Sequence, residues 1–257
     1  MALLQVNFHS QALQRSVPMN VILPTDRVAD IPKNGYKTLY LLHGLFGNYA
    51  GWCNNTRIQQ WAEEKNLAVV MPSGDNSFYV DWEQPNNEYS RFIGQELVEL
   101  TRKMFPLSKR REDTFIAGLS MGGYGALYNG LRHNTTFGCI AALSSAVHLF
   151  EVPEDMPVPS LIGENWVFGD MKVARKTDKN PRVALANLKA AGAPIPKIYM
   201  ACGLQDSLIL ANQALRDYFL KEGVDLTYEE GEGIHDWIFW DTYIRKVLDW
   251  LPLKDAE

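Results

Sequence analysis

Short apolar runs alternate with amphipathic stretches along most of the 257 residues. Residues 37–42 (Lys-Thr-Leu-Tyr-Leu-Leu) are almost uninterruptedly apolar, and 17–23, 67–71, 113–117, 139–143 and 197–202 repeat the pattern. A strand covered on both faces has no polar side to display, so such runs predict strands of a parallel sheet. Residues 226–229 form a further, shorter strand. Between the runs lie helical spacings. Ile93, Leu97, Leu100 and Met104 fall four, three and four apart, on one helical face. Trp237, Trp240, Ile244, Val247 and Leu251 do the same, predicting a last helix over 236–251 whose aromatic stripe reads as core packing. Strands alternating with helices predict an α/β fold class, a mostly parallel central sheet with helices on both faces, in one domain over 1–257.

Residues 146–179 fit least well. They carry Pro153, Pro157 and Pro159 and no long periodic run, yet also Phe150, Leu161, Ile162, Trp166 and Phe168. The segment follows the strand over 139–143 and so begins at the carboxyl edge of the sheet, where open α/β sheets hold ligand chemistry. Its apolar residues either pack locally on the domain surface or form a small cap over a pocket. The cap-like insertion makes Trp166 and Phe168 candidate substrate-binding residues.

Composition narrows the function. With 46% apolar and 21% charged residues, the chain can bury a large core and is not disordered. Thirty acidic against 25 basic residues leave a net charge of −5, with Lys109-Arg110-Arg111 the densest basic run, which argues against nucleic acid as a partner. Cys53, Cys139 and Cys202 lie far apart with no Cys/His cluster, so neither a disulfide framework nor a metal site is expected, and no cofactor is implied. The opening residues lack a charged start followed by an apolar run, and no apolar stretch approaches the roughly 18 residues that cross a bilayer. The expectation is a cytoplasmic protein with no membrane partner. A homo-oligomer is left open.

The candidate chemistry starts at Gly118-Leu119-Ser120-Met121-Gly122, which follows the strand over 113–117 and leads into a helix expected to start near Tyr124. Strand before and helix after make this GxSxG a nucleophile elbow, a tight turn on which small neighbours leave one hydroxyl exposed. A serine hydroxyl is a weak nucleophile at neutral pH. An imidazole must take its proton, and a carboxylate must hold that imidazole in the right tautomer. In this architecture the partners follow in the order serine, acid, histidine, which removes His9 and His43. His133, near the end of the following helix, is expected to face solvent or cap that helix, and His148 opens the insertion. His235, in the turn between a strand and the last helix, is the chosen base. Asp206, just past the strand over 197–202, is the chosen acid. Its rival Asp236 is better placed to cap the last helix, and Asp225 precedes its strand and belongs to the opposite edge. The oxyanion needs two N–H donors, expected from Met121 and from Leu45 in the glycine-bearing loop His43-Gly44-Leu45-Phe46-Gly47. His43 itself reads as structural, and Phe46 as a substrate-binding residue.

In these motifs the chain resembles the α/β-hydrolase superfamily, and within it the esterase D group. His-Gly-Leu-Phe-Gly-Asn-Tyr at 43–49, Gly-Leu-Ser-Met-Gly-Gly-Tyr-Gly-Ala at 118–126, Cys-Gly-Leu-Gln-Asp at 202–206 and His-Asp-Trp-Ile-Phe-Trp at 235–240 are similar to the bacterial tributyrin-esterase branch. The resemblance implies a serine carboxylesterase of short-chain acyl esters, a small-molecule substrate and an acyl-enzyme intermediate. Relatives of the group also act on feruloyl esters or S-formylglutathione. The S-formylglutathione hydrolases usually carry a Ser-Gly-Leu-Thr-Cys loop where this chain has residues 43–47. A reading of another class, a hydrolase-like binding scaffold without catalysis, is opposed by the intact Ser120, Asp206 and His235.

Overall fold

Eight strands, among the described residues, hydrogen-bond into one sheet. The computed structural model describes residues 1–26, 31–151 and 165–253, the side chains of Asn165 and Trp166 excepted. The strands are β1 (Ala2–Ser10), β2 (Arg15–Leu23), β3 (Thr38–Leu42), β4 (Ala68–Pro72), β5 (Thr114–Leu119), β6 (Cys139–Leu143), β7 (Lys197–Gly203) and β8 (Leu226–Gly231), laid out β1-β2-β4-β3-β5-β6-β7-β8. From β4 to β8 every pairing is parallel, while β1–β2 and β2–β4 are antiparallel. The mostly parallel sheet expected from the apolar runs is therefore present, with an antiparallel hairpin added at one edge.

The helices are α1 (Gly51–Asn55), α2 (Ile58–Glu64), α3 (Tyr89–Arg91), α4 (Leu97–Met104), α5 (Met121–Arg132), α6 (His148–Glu151), α7 (Asn165–Phe168), α8 (Met171–Ala174), α9 (Pro181–Ala190), α10 (Ile209–Lys221) and α11 (Trp237–Trp250). Successive strand residues point to opposite faces, and both faces are apolar. Leu39, Leu41, Phe115 and Ala117 pack with Trp52, Trp61, Ile244 and Val247 of α1, α2 and α11. Tyr40, Leu42 and Ile116 pack on the other side with Leu97, Tyr124, Leu127, Leu185 and Leu215. Burying each large aliphatic or aromatic side chain of this kind contributes about 1.5–3 kcal/mol. Among the described residues, no helix is long and apolar enough to cross a membrane.

Two elements differ from the sequence expectations. The stripe Ile93, Leu97, Leu100, Met104 does not stay buried, because residues Phe92–Glu96 form a π-turn between α3 and α4. Its one extra residue shifts the phase, so Phe92, Ile93, Leu97, Val98 and Thr101 face inward while Met104 is exposed. The same turn delivers Glu96 to the β1–β2 hairpin, where its carboxylate accepts from Ser10 Oγ (2.6 Å) and from the N–H groups of Gln11 (2.6 Å) and Ala12 (3.2 Å). Helix α5 also begins at Met121, directly after the serine and three residues before the expected start.

His133 ends α5 but does not face solvent. Its ring packs on Gly94 of the π-turn and its Nε2 lies 3.1 Å from Ser90 Oγ. Burial, then the neighbouring Arg132 charge, pull its pKa down from 6.5 to about 4. The fold therefore holds the neutral ring, and the unfolded chain binds the extra proton between these two values. This stabilisation is complete above pH 6.5 and is lost as pH falls towards about 4, by about 3 kcal/mol in all. Urea midpoints at pH 7 and pH 4.5 should differ less in His133→Gln than in the wild type; an identical difference would remove His133 from the acid response.

Of the segment 146–179, residues 146–151 and 165–179 are described; Leu161, Ile162 and the three prolines lie outside the described residues. The returning limb is tied down on α5: Tyr124 donates its hydroxyl to the Lys179 carbonyl (2.6 Å).

Candidate active site

The elbow sits between the carboxyl end of β5 and the first turn of α5. Ser120 adopts φ 54° and ψ −118°, a left-handed backbone held by its surroundings. Its N–H donates to Leu143 O (2.9 Å), and its carbonyl accepts from Tyr124 and Ala146 (both 3.0 Å). The two flanking glycines are required by close approach. A Cβ on Gly118 would lie 2.3 Å from Gly122 O, and one on Gly122 would lie 2.5 Å from Leu42 O. The helix can therefore press its first turn against β3 and aim the serine outward.

Two loops from the far end of the sheet meet this serine. Asp206 follows β7, and its side chain is fully buried; Oδ1 accepts from Leu208 N (2.9 Å) and Oδ2 faces His235 Nδ1 (2.8 Å). His235 follows β8, one-third exposed, with Nε2 2.9 Å from Ser120 Oγ. With the Nδ1 proton turned to Asp206, Nε2 is left to accept the serine proton. Burial pushes the Asp206 carboxyl up, but hydrogen bonds from His235 and Leu208 N, with the His235 charge and Ser144 behind them, hold it below the ordinary carboxylate value. The acid and histidine loops are joined by backbone: Leu204 N donates to Gly231 O (2.9 Å), Gln205 N to Gly233 O (3.1 Å), and Gly233 N to Gln205 Oε1 (2.8 Å).

The rivals lie elsewhere. Asp236 caps α11 through Oδ1 and Phe239 N (3.0 Å), and Asp225 pairs with Lys197 (3.6 Å) at the opposite edge. His43 is buried; Nε2 accepts from Gly74 N (2.9 Å), so Nδ1 donates to Gly44 O (2.7 Å), and burial lowers its pKa to keep it neutral. It supports the loop above it.

A cavity of about 680 Å³ opens over the serine, lined by Leu45, Phe46, Ser120, His235 and Trp237, with Asn48, Asn54 and Asn55 on one wall. Phe46 is 73% exposed, and its N–H is occupied by Asn76 Oδ1 (2.8 Å). Met121 opens α5, so its N–H has no acceptor four residues back in the helix. Phe168 does not line this cavity. Its ring is buried against Phe78 (5.2 Å), Tyr124 and Phe150 (both 5.6 Å), because α7 turns that face towards α5. The Trp166 side chain lies outside the described residues. The asparagine wall and Trp237 were not assigned to a site from the sequence; they follow the oxyanion loop and His235 so closely in the chain that loop position was the available signal.

The Esterase family model matches residues 10–251. The chain belongs to this family. The esterase is a carboxylic ester hydrolase of the α/β-hydrolase superfamily, 43% identical over 261 residues to the acetyl esterase of Caldicellulosiruptor saccharolyticus, with 98% of each chain covered. Its fold matches the fluorophosphonate-binding serine hydrolase FphF of Staphylococcus aureus at a TM-score of 0.87 and 32% identity, over 99% of both chains. The S-formylglutathione hydrolase FrmB of the same organism matches at 0.85 and 31%, over 98% of this esterase and 99% of that chain.

Proposed function

We propose that this esterase hydrolyses short-chain acyl esters through a Ser120–His235–Asp206 triad. The observation that carries the reading is the unbroken hydrogen-bond chain from Ser120 Oγ to His235 Nε2 (2.9 Å) and from His235 Nδ1 to Asp206 (2.8 Å). Ser120 Oγ attacks the ester carbonyl carbon as Nε2 takes its proton. Asp206 keeps the imidazole in the receptive tautomer and stabilises the imidazolium. The tetrahedral oxyanion is held by the N–H groups of Met121 and Leu45, since the neighbouring Phe46 N–H is engaged by Asn76. The intermediate collapses, the alcohol leaves with the Nε2 proton, and a water deprotonated by His235 attacks the acyl-serine to release the acid and restore Ser120.

The acetyl esterase relative supports a small acyl group. In this reading residues 146–179 act as a cap that limits acyl length, and Phe168 braces its returning limb through Phe78, Tyr124 and Phe150. Each added acyl carbon contributes about 0.8 kcal/mol at most until the wall is met, after which longer chains are refused. Across p-nitrophenyl esters from acetate to octanoate, kcat/KM should peak at about two to four carbons, and Phe168→Ala should raise the octanoate-to-acetate ratio. A flat profile, unaltered in that variant, rejects the length limit. S-formylglutathione belongs in the same panel, because a relative bearing that activity matches along nearly the whole chain; a preference for it over the acetate would replace the oxygen ester as substrate.

A further inference from the structure

We propose that Trp240 is a positioning residue for the hydrolysis, holding the His235 imidazole with its ring and, through its indole N–H on Ser144, the turn that supports nucleophile and acid together. The proposal rests on the triad reading. Trp240 lies in the first turn of α11 and is nearly buried, as a core residue would be. Its surroundings are what distinguish it. The indole stands perpendicular to the His235 ring, centroids 4.9 Å apart, and is packed behind by Trp237 at 5.2 Å. Trp240 shares the cavity lining with His235 and Trp237, and its edge-to-face contact restrains the imidazole there.

The indole Nε1 donates to Ser144 Oγ at 3.1 Å. Ser144 is fully buried and holds φ 45°, a left-handed conformation that a non-glycine residue keeps only when its neighbours impose it. Those neighbours are the site. Ser144 N donates to Ala201 O of β7 (2.7 Å); the preceding carbonyl, Leu143 O, receives Ser120 N (2.9 Å); and Ala146 N, two residues on, donates to Ser120 O (3.0 Å). The turn after β6 therefore grips the nucleophile's backbone and the strand that leads to the acid. A hydroxyl that accepts one bond can donate another. Behind burial and the bonds from His235 and Leu208, the Ser144 side chain also helps hold the Asp206 carboxyl ionised. One indole thereby touches the base directly and reaches serine and acid through a single intervening residue.

The test is steady-state hydrolysis of p-nitrophenyl acetate by Trp240→Phe, Ser144→Ala and the double variant, at a temperature where each is folded. Phenylalanine keeps an aromatic ring and removes the N–H donor; alanine removes its acceptor. Each single variant should lower kcat about tenfold with KM within about twofold, since misplaced groups slow the chemical step more than they weaken binding. The double variant should fall no further than Ser144→Ala alone, and not about a hundredfold, because the indole bond is already lost once its acceptor is gone. Wild-type kcat in either single variant, a loss confined to KM or Tm, or a multiplicative double loss overturns the proposal. If Trp240→Phe does not accumulate as folded protein, Ser144→Ala decides alone. Ser120→Ala in the same assay separates the two readings: activity there defeats the triad itself, whereas an inactive Ser120→Ala beside a normal Trp240→Phe removes only the role of Trp240.

Discussion

Ser120→Ala should lower kcat on the order of 10⁶-fold while the protein remains folded, because losing the nucleophile of a triad is about as damaging as losing all three members. Alanine keeps the Cβ, so the left-handed backbone at φ 54° is no more strained than before, and the bonds to Leu143 O and from Ala146 N are made by backbone alone. Circular dichroism and Tm should therefore match the wild type. What disappears is the only hydroxyl within reach of His235 Nε2 among the described hydrogen bonds. Labelling by a fluorophosphonate should vanish with turnover. A variant that keeps more than about a tenth of kcat would mean that another group carries the acyl chain.

The second large effect discriminates between two neighbouring acids. Asp206→Asn should reduce kcat about 10⁴-fold, since an amide offers its N–H₂ to the imidazole and favours the tautomer with the proton on the wrong nitrogen. Asp236→Asn should stay within a few-fold of the wild type. Asparagine caps a helix about as well as aspartate, so the bond to Phe239 N survives and α11 keeps its start. Equal losses, or a larger one at Asp236, would move the acid to the helix cap and break the reading of the Asp206–His235 contact.

Much of this arrangement was legible in the chain because each candidate residue stands just past a strong local signal. Ser120 follows an apolar run and precedes a helix, Asp206 follows β7, and His235 lies in the short turn before α11; a parallel sheet brings the ends of such strands to one edge whatever lies between. The rest depended on directions that spacing does not encode. Strand β1 alternates, with Leu4, Val6 and Phe8 half-buried, but the exposed Leu3 beside Leu4 blurs its period, so the pattern does not predict this strand. The π-turn before α4 displaced a helical stripe by one residue, and no residue type announces such an insertion. Phe168 and Trp240 are aromatics whose neighbours are set by tertiary packing, so an interior ring, a pocket wall and a support behind the imidazole look alike in a one-dimensional pattern.

The long separation within the hydrogen-bonded pair Ser120–His235 also says when in its synthesis this chain first becomes an enzyme. The two residues are 115 positions apart, and the elbow that carries Ser120 leans backward on Leu42 while the histidine waits on β8 and α11. A nascent chain that has emerged only as far as β7 can pair most of its sheet and still lacks a proton acceptor for Ser120. Esterase activity should therefore arise abruptly, at the close of folding, once contacts of the highest sequence separation have formed. Recovery of turnover after dilution from denaturant is accordingly a stricter clock for this protein than recovery of its helical or β signal.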